Sequence, residues 1–202
     1  MANVNSPQGL VPVSHKLSVK YAGQTTTYYI PSNDSNAYAI GDPVTLLGSS
    51  DAVGNPGCVL ATAGTTNTVV GAIVGMGGRA YGGATGVNPL GNQDTTIIPA
   101  TKTVAYYVQV VDDPYVIFAV QEDASQTALA AADVGLNISL KSGTNNGYIS
   151  GWILDNTTKA TTAALQMKLL GIQNDPSNNL GTAAVWLCMI NQHPFKATVA
   201  GL

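Results

Sequence analysis

Charge is what this chain has least of. Lys and Arg number 8 and Asp and Glu 11 in 202 residues, so charged side chains make up 9%, where an ordinary soluble domain carries roughly a quarter. One glutamate, Glu122, and one arginine, Arg79, occur in the whole sequence. That excludes coiled-coil and long-helix proteins, which are built on Glu, Lys and Arg. A formal net charge of −3 leaves no basic footprint for nucleic acid. Apolar runs are short as well, and none approaches the roughly 18 residues that a membrane helix needs. The opening Met-Ala-Asn-Val-Asn-Ser-Pro-Gln-Gly has neither a basic start nor an apolar core, so no secretory signal is visible and synthesis in a cytoplasm is expected. Cysteine is scarce: Cys58 and Cys188 lie far apart, each in an apolar run, and read as buried thiols. A disulfide between them would require neighbouring strands.

Hydrophobic residues still amount to 45%, which rules out a disordered chain. The remainder is Gly, Thr, Asn, Ser and Ala, giving a neutral polar surface that does little to repel other copies of itself. Short β-prone runs recur throughout: Tyr28–Ile30, Ala37–Ile40, Val44–Leu47, Cys58–Ala61, Val69–Val74, Val104–Val111, Tyr115–Val120, Leu136–Leu140, Tyr148–Leu154, Ala164–Gln173 and Ala183–Asn191. Turn clusters separate them, including Asp112-Asp113-Pro114, Asn145-Asn146-Gly147 and Asp155-Asn156. The spacing across Asp112–Pro114 predicts a hairpin. Ser125–Ala132 is the one helical turn expected. The pattern indicates an all-β protein, a jelly-roll-like sandwich or barrel. It predicts a single β domain over residues 15–202, preceded by an uncharged N-terminal arm at 1–14. A long Gly-rich loop at 75–93 awaits a partner or moves freely.

Catalytic chemistry finds little to work with. Gly75-x-Gly77-x-x-Ala80, with Asp94 further on, imitates a dinucleotide fingerprint, but the Tyr-Gly-Gly after Ala80 cannot start a helix and no βαβ alternation surrounds it. The acidic pairs Asp112-Asp113 and Glu122-Asp123 bracket one strand and would stand about 20 Å apart, too far to share a scissile bond. A Ca²⁺ site on Asp112 and Asp113 lacks the spaced carboxylates of a calcium loop. His15 and His193 belong to no zinc pattern, and no G-x-S-x-G elbow is present. The three sequons at Asn33, Asn137 and Asn156 are what so much Asn, Ser and Thr produces by chance. The expectation is therefore no enzyme, no cofactor and no metal. Tyrosine dominates the aromatics, with pairs at Tyr28-Tyr29 and Tyr106-Tyr107. Alternation along a strand sends one ring of each pair inward and one outward, and an outward tyrosine suits either a protein interface or a sugar.

The ordered motifs Gly9-Leu10-Val11-Pro12-Val13, Tyr28-Tyr29-Ile30-Pro31, Tyr38-Ala39-Ile40-Gly41-Asp42-Pro43-Val44, Tyr106 to Pro114, Asp133-Val134-Gly135-Leu136-Asn137, Leu154-Asp155-Asn156 and Ile190-Asn191-Gln192-His193 cover nearly the whole chain. In that order they resemble the head decoration or cement proteins of tailed bacteriophages. The resemblance implies a homo-oligomer, a trimer first and a dimer second, on the outer capsid surface of the virion. Its partner would be the major capsid protein shell, with no nucleic acid or membrane involved. Leu10 and Val11 in the arm, Tyr28 and Tyr29 in the first tyrosine pair, and Arg79 and Tyr81 in the Gly-rich loop are the candidate contacts. Removing residues 1–14 should then abolish shell binding and leave the fold intact. The alternative is a carbohydrate-binding or receptor-binding β-sandwich module of a phage particle, stacking sugars on exposed tyrosines and on Trp152 or Trp186.

Overall fold

A computed structural model describes residues 3–17, 21–77 and 96–196. Thirteen strands account for its regular structure: β1 (Val11–His15), β2 (Thr26–Ile30), β3 (Tyr38–Ala39), β4 (Pro43–Ser50), β5 (Pro56–Leu60), β6 (Gly71–Met76), β7 (Ile97–Ile98), β8 (Tyr106–Val111), β9 (Val116–Gln121), β10 (Asn137–Lys141), β11 (Ile153–Ala160), β12 (Met167–Ile172) and β13 (Val185–Ile190). One turn of 3-10 helix at Ala131–Asp133 is the only helical element among the described residues. The described residues form an all-β fold, in keeping with the pattern of short β-prone runs.

The strands divide into two bodies and a small ladder. A closed barrel runs β2-β5-β4-β6-β8, and a six-stranded antiparallel sheet runs β1-β9-β13-β12-β10-β11, while β3 pairs with β7. A parallel bridge from Glu122 to Leu154 brings β11 back to the end of β9, so the sheet curls on itself. This is a barrel beside a curled sheet, not the two facing four-stranded sheets of a jelly roll.

Alternation builds both interiors. Tyr28 and Ile30 on β2 and Val108 and Val110 on β8 fill the barrel together with Val44, Cys58, Val70 and Ile73. In the sheet, Phe118, Val120, Trp186, Cys188, Leu169, Ile138 and Leu154 form a second cluster. Ala61, Val69, Ala72 and Val111 from the barrel wall join that second cluster, so the two bodies share one packed seam. Cys58 and Cys188 therefore sit in different clusters as buried free thiols.

Three sequence expectations change. The predicted hairpin does not form: β8 pairs with β2 and β6 inside the barrel, whereas β9 pairs with β1 and β13 in the sheet. Asp112-Asp113-Pro114 is instead the crossing between bodies. Asp112 accepts hydrogen bonds from the Thr26 hydroxyl (3.1 Å) and the Tyr28 hydroxyl (2.9 Å) on the barrel. Asp113 takes His15 Nε2 (3.0 Å) and the Tyr115 amide (2.8 Å) on the sheet side. Second, Asp155-Asn156 lies within β11, not at a turn. Third, of the expected strand Tyr148–Leu154 only Ile153 and Leu154 belong to β11, and Gly143 and Gly151 pack backbone to backbone before it. A Cβ on Gly143 would stand 2.0 Å from the Gly151 carbonyl oxygen.

Candidate interaction surface

The N-terminal segment is laid onto the molecule. Asn3 Nδ2 donates to the carbonyls of Asn179 (2.7 Å) and Thr182 (3.1 Å), and the Asn179 amide returns a bond to Asn3 Oδ1 (2.9 Å). The Ser6 amide donates to Gln121 Oε1 (3.0 Å), while Gln121 Nε2 donates to the carbonyl of Val4 (2.9 Å). Leu10 is fully buried, and its amide donates to the Gly41 carbonyl (2.9 Å). The chain then enters the sheet as β1, with Val11 opposite Ala119. A boundary between residues 14 and 15 would cut this strand in two, so the segment is part of the sheet.

Two segments that carry no charge of their own are thereby brought together. Residues 3–14 and 176–190 contain no Asp, Glu, Lys or Arg. Val4 and Leu180, 77% and 51% exposed, flank the Asn3 contact, and Leu17 and Tyr115 are exposed at the far end, where the Lys16 amide bonds to the Tyr115 carbonyl. A shallow groove along β1 is lined by Ser6, Gln8, Val11, Val13, Ala119 and Gln173.

The expected contact residues divide. Leu10 and Tyr28 are core residues, 0% and 1% exposed, because β-alternation and the Gly41 contact turn both inward; neither presents a surface as placed. Val11 is half-buried and lines the groove, and Tyr29 is half-buried on the outer wall of the barrel. Arg79 and Tyr81, with most of the Gly-rich loop, lie outside the described residues. Trp152 and Trp186 are both buried in the sheet cluster and offer no stacking platform. The exposed rings are Tyr115, Tyr148 and Phe195, among the described residues.

The carboxylates are occupied structurally. Lys141 holds Asp123 (2.6 Å), Lys159 holds Asp133 (2.7 Å) and Lys102 holds Asp34 (3.0 Å). Burial alone would raise all three, but these ammonium groups and nearby hydrogen bonds outweigh it and hold them below the ordinary carboxylate range. Asp112 and Asp113 turn to different bodies and do not converge on one ion. Glu122 is fully buried, with Oε2 accepting the Leu129 amide (2.9 Å) and the Trp186 indole N–H (3.2 Å); burial pushes it up despite these bonds. It closes the sheet core and does not line the groove. No group of three or more metal-ligating side chains occurs among the described residues.

No family model, curated protein or solved structure matches this chain.

Proposed function

We propose that the chain is a structural virion protein that binds the outside of a phage capsid and cements neighbouring capsomers. In this reading it is a homo-oligomer, a trimer on a local three-fold axis before a dimer on a two-fold, and carries out no catalysis. The order of sequence motifs supports the family. The observation that carries the reading is the meeting of the uncharged segments 3–14 and 176–190 through Asn3. Depletion of charge marks the buried centre of protein interfaces. A neutral patch also meets many identical neighbours without like-charge penalties, which symmetric contacts otherwise incur. Because such a protein binds the assembled shell and not its separated subunits, its binding free energy adds to shell stability.

The test is binding to purified shells that lack the protein. Wild type should bind saturably, raise the shell's melting temperature and run above monomer mass in solution. Val4→Asp and Leu180→Asp, both on exposed positions, should lose shell binding while keeping their β-rich circular dichroism. Raising salt from about 0.05 to 0.5 M should change affinity little, since screening acts on charges. Full binding by both charge variants would overturn the placement of the contact face, and no binding by wild type would overturn the function.

A further inference from the structure

A second surface, on the far wall of the barrel, has the chemistry of a ligand site. β2 and β5 run parallel and pair only at Tyr29 with Gly57. Pro31 then follows, with no amide hydrogen to extend the ladder, so β2 turns away and a cleft of about 490 Å³ opens beside β5. Tyr29, Pro31, Leu47 and Val59 supply its apolar surface, and Asn33, Ser49 and Ser50 supply amide and hydroxyl groups able both to donate and to accept.

We propose that this cleft binds a neutral sugar residue stacked on the ring of Tyr29. Three features select that ligand. The Tyr29 ring packs against its cross-strand partner Tyr107, with centroids 6.0 Å apart and planes tilted by 51°, and Tyr107 is itself fixed by its hydroxyl bond to Asp51 Oδ2 (2.8 Å). A ring held this way loses little freedom on stacking. The one carboxylate at the cleft, Asp34, is compensated by Lys102, whose ammonium is fully buried and also donates to the carbonyls of Asp34 (2.9 Å) and Asn36 (2.5 Å). Asp34 therefore brings no net charge to the lining, while the Asp51 carboxylate that fixes Tyr107 disfavours an anionic ligand. The cleft's polar rim matches a polyhydroxyl ring, whose C–H face would lie on the aromatic and apolar floor.

The test uses the whole protein on an array of glucose-, galactose-, mannose- and N-acetylglucosamine-terminated oligosaccharides, with sialylated and sulfated glycans beside them. The best neutral glycan is then titrated by calorimetry. Wild type should bind at least one neutral glycan saturably and ignore the charged ones. Tyr29→Ala should weaken binding about tenfold or more, and Tyr29→Phe should retain it. Asn33→Trp, on an exposed turn, should block the cleft without touching either core. Absence of neutral-glycan binding by wild type would overturn the proposal. So would preference for charged glycans, or binding that survives Asn33→Trp but is lost in Tyr148→Ala. Shell binding by Asn33→Trp should be normal, which separates failure here from failure of the cement reading.

Discussion

A methyl group at residue 41 has nowhere to go. Gly41 has φ of +91°, and an added Cβ would stand 2.2 Å from the carbonyl oxygen of Gln8; Gly9 meets Gly41 in the same way from the other side. Gly41→Ala should destabilise the fold by about 2–4 kcal/mol in urea denaturation, since strain and collision act together. His193 governs a second measurable property. It is buried between the end of β13 and the barrel, with Lys196, Asp112, Asp113 and the Val70 backbone around it. Burial, assisted by Lys196, holds it down to about 4. Its Nδ1 accepts the Phe195 amide (3.1 Å), as a neutral ring can. An unfolded chain takes up that proton near 6.5, so between about 6.5 and 4 the unfolded state binds more protons and stability falls as pH falls. His193→Gln should show a shallower decline of the urea midpoint across this window, and an unchanged slope would assign the acid sensitivity elsewhere. Glu122 and Asp42 act with the opposite sign. Burial raises both, so their contribution is complete in acid and is lost as pH rises through their folded values.

Among elements, β1 carries the largest departure from the sequence reading. An uncharged, proline-containing segment reads as an arm, yet Leu10 and the β1–β9 pairing make it an integral strand. Deleting residues 1–14 should accordingly lower the melting temperature and promote self-association, because it strips Leu10 from the core and leaves β9 as a raw edge. A truncated protein as stable as wild type would restore the arm. In the native protein the edge is blunted by Pro12 and by the bulge between Pro12 and Ser14. Strand existence was legible because apolar and β-branched residues cluster between turns; alternation puts one ring of the Tyr28-Tyr29 pair in the core and the other on the wall, whereas Tyr107 of the second pair is buried and Tyr106 packs on the core. Pairing was not legible. Asp112 to Pro114 has the composition of a hairpin turn, and only the distant Tyr28 and His15 decide that its two aspartates serve different bodies. Asn156 likewise looks like a turn residue. Within β11 it is buried, its Oδ1 accepting the Asp123 amide (3.2 Å) and its Nδ2 donating to the Thr127 carbonyl (3.0 Å). Of the interaction surface, the uncharged stretches could be read directly, but their meeting on one face depends on Asn3 reaching Asn179 and Thr182.

For the molecule as a whole, scarcity of charge has a structural counterpart. Three of the seven lysines, Lys102, Lys141 and Lys159, each hold an aspartate. What remains exposed is chiefly amide, hydroxyl and small apolar surface, the material of both the proposed shell contact and the proposed sugar cleft. Those two surfaces belong to different bodies, the first to the sheet and the second to the barrel. A particle carrying many copies could therefore anchor through one and present the other outward. The strand order also sets a timetable. The barrel is complete once Val111 has been synthesised, whereas Val11 must wait for Ala119 before it has a strand to join. During translation, which proceeds at about 5–20 residues per second, β1 stays unmatched for several seconds, and only about the last second of that wait falls after the barrel is free to close. Pro12, which has no amide hydrogen, offers one backbone donor fewer to any other neighbour during that wait.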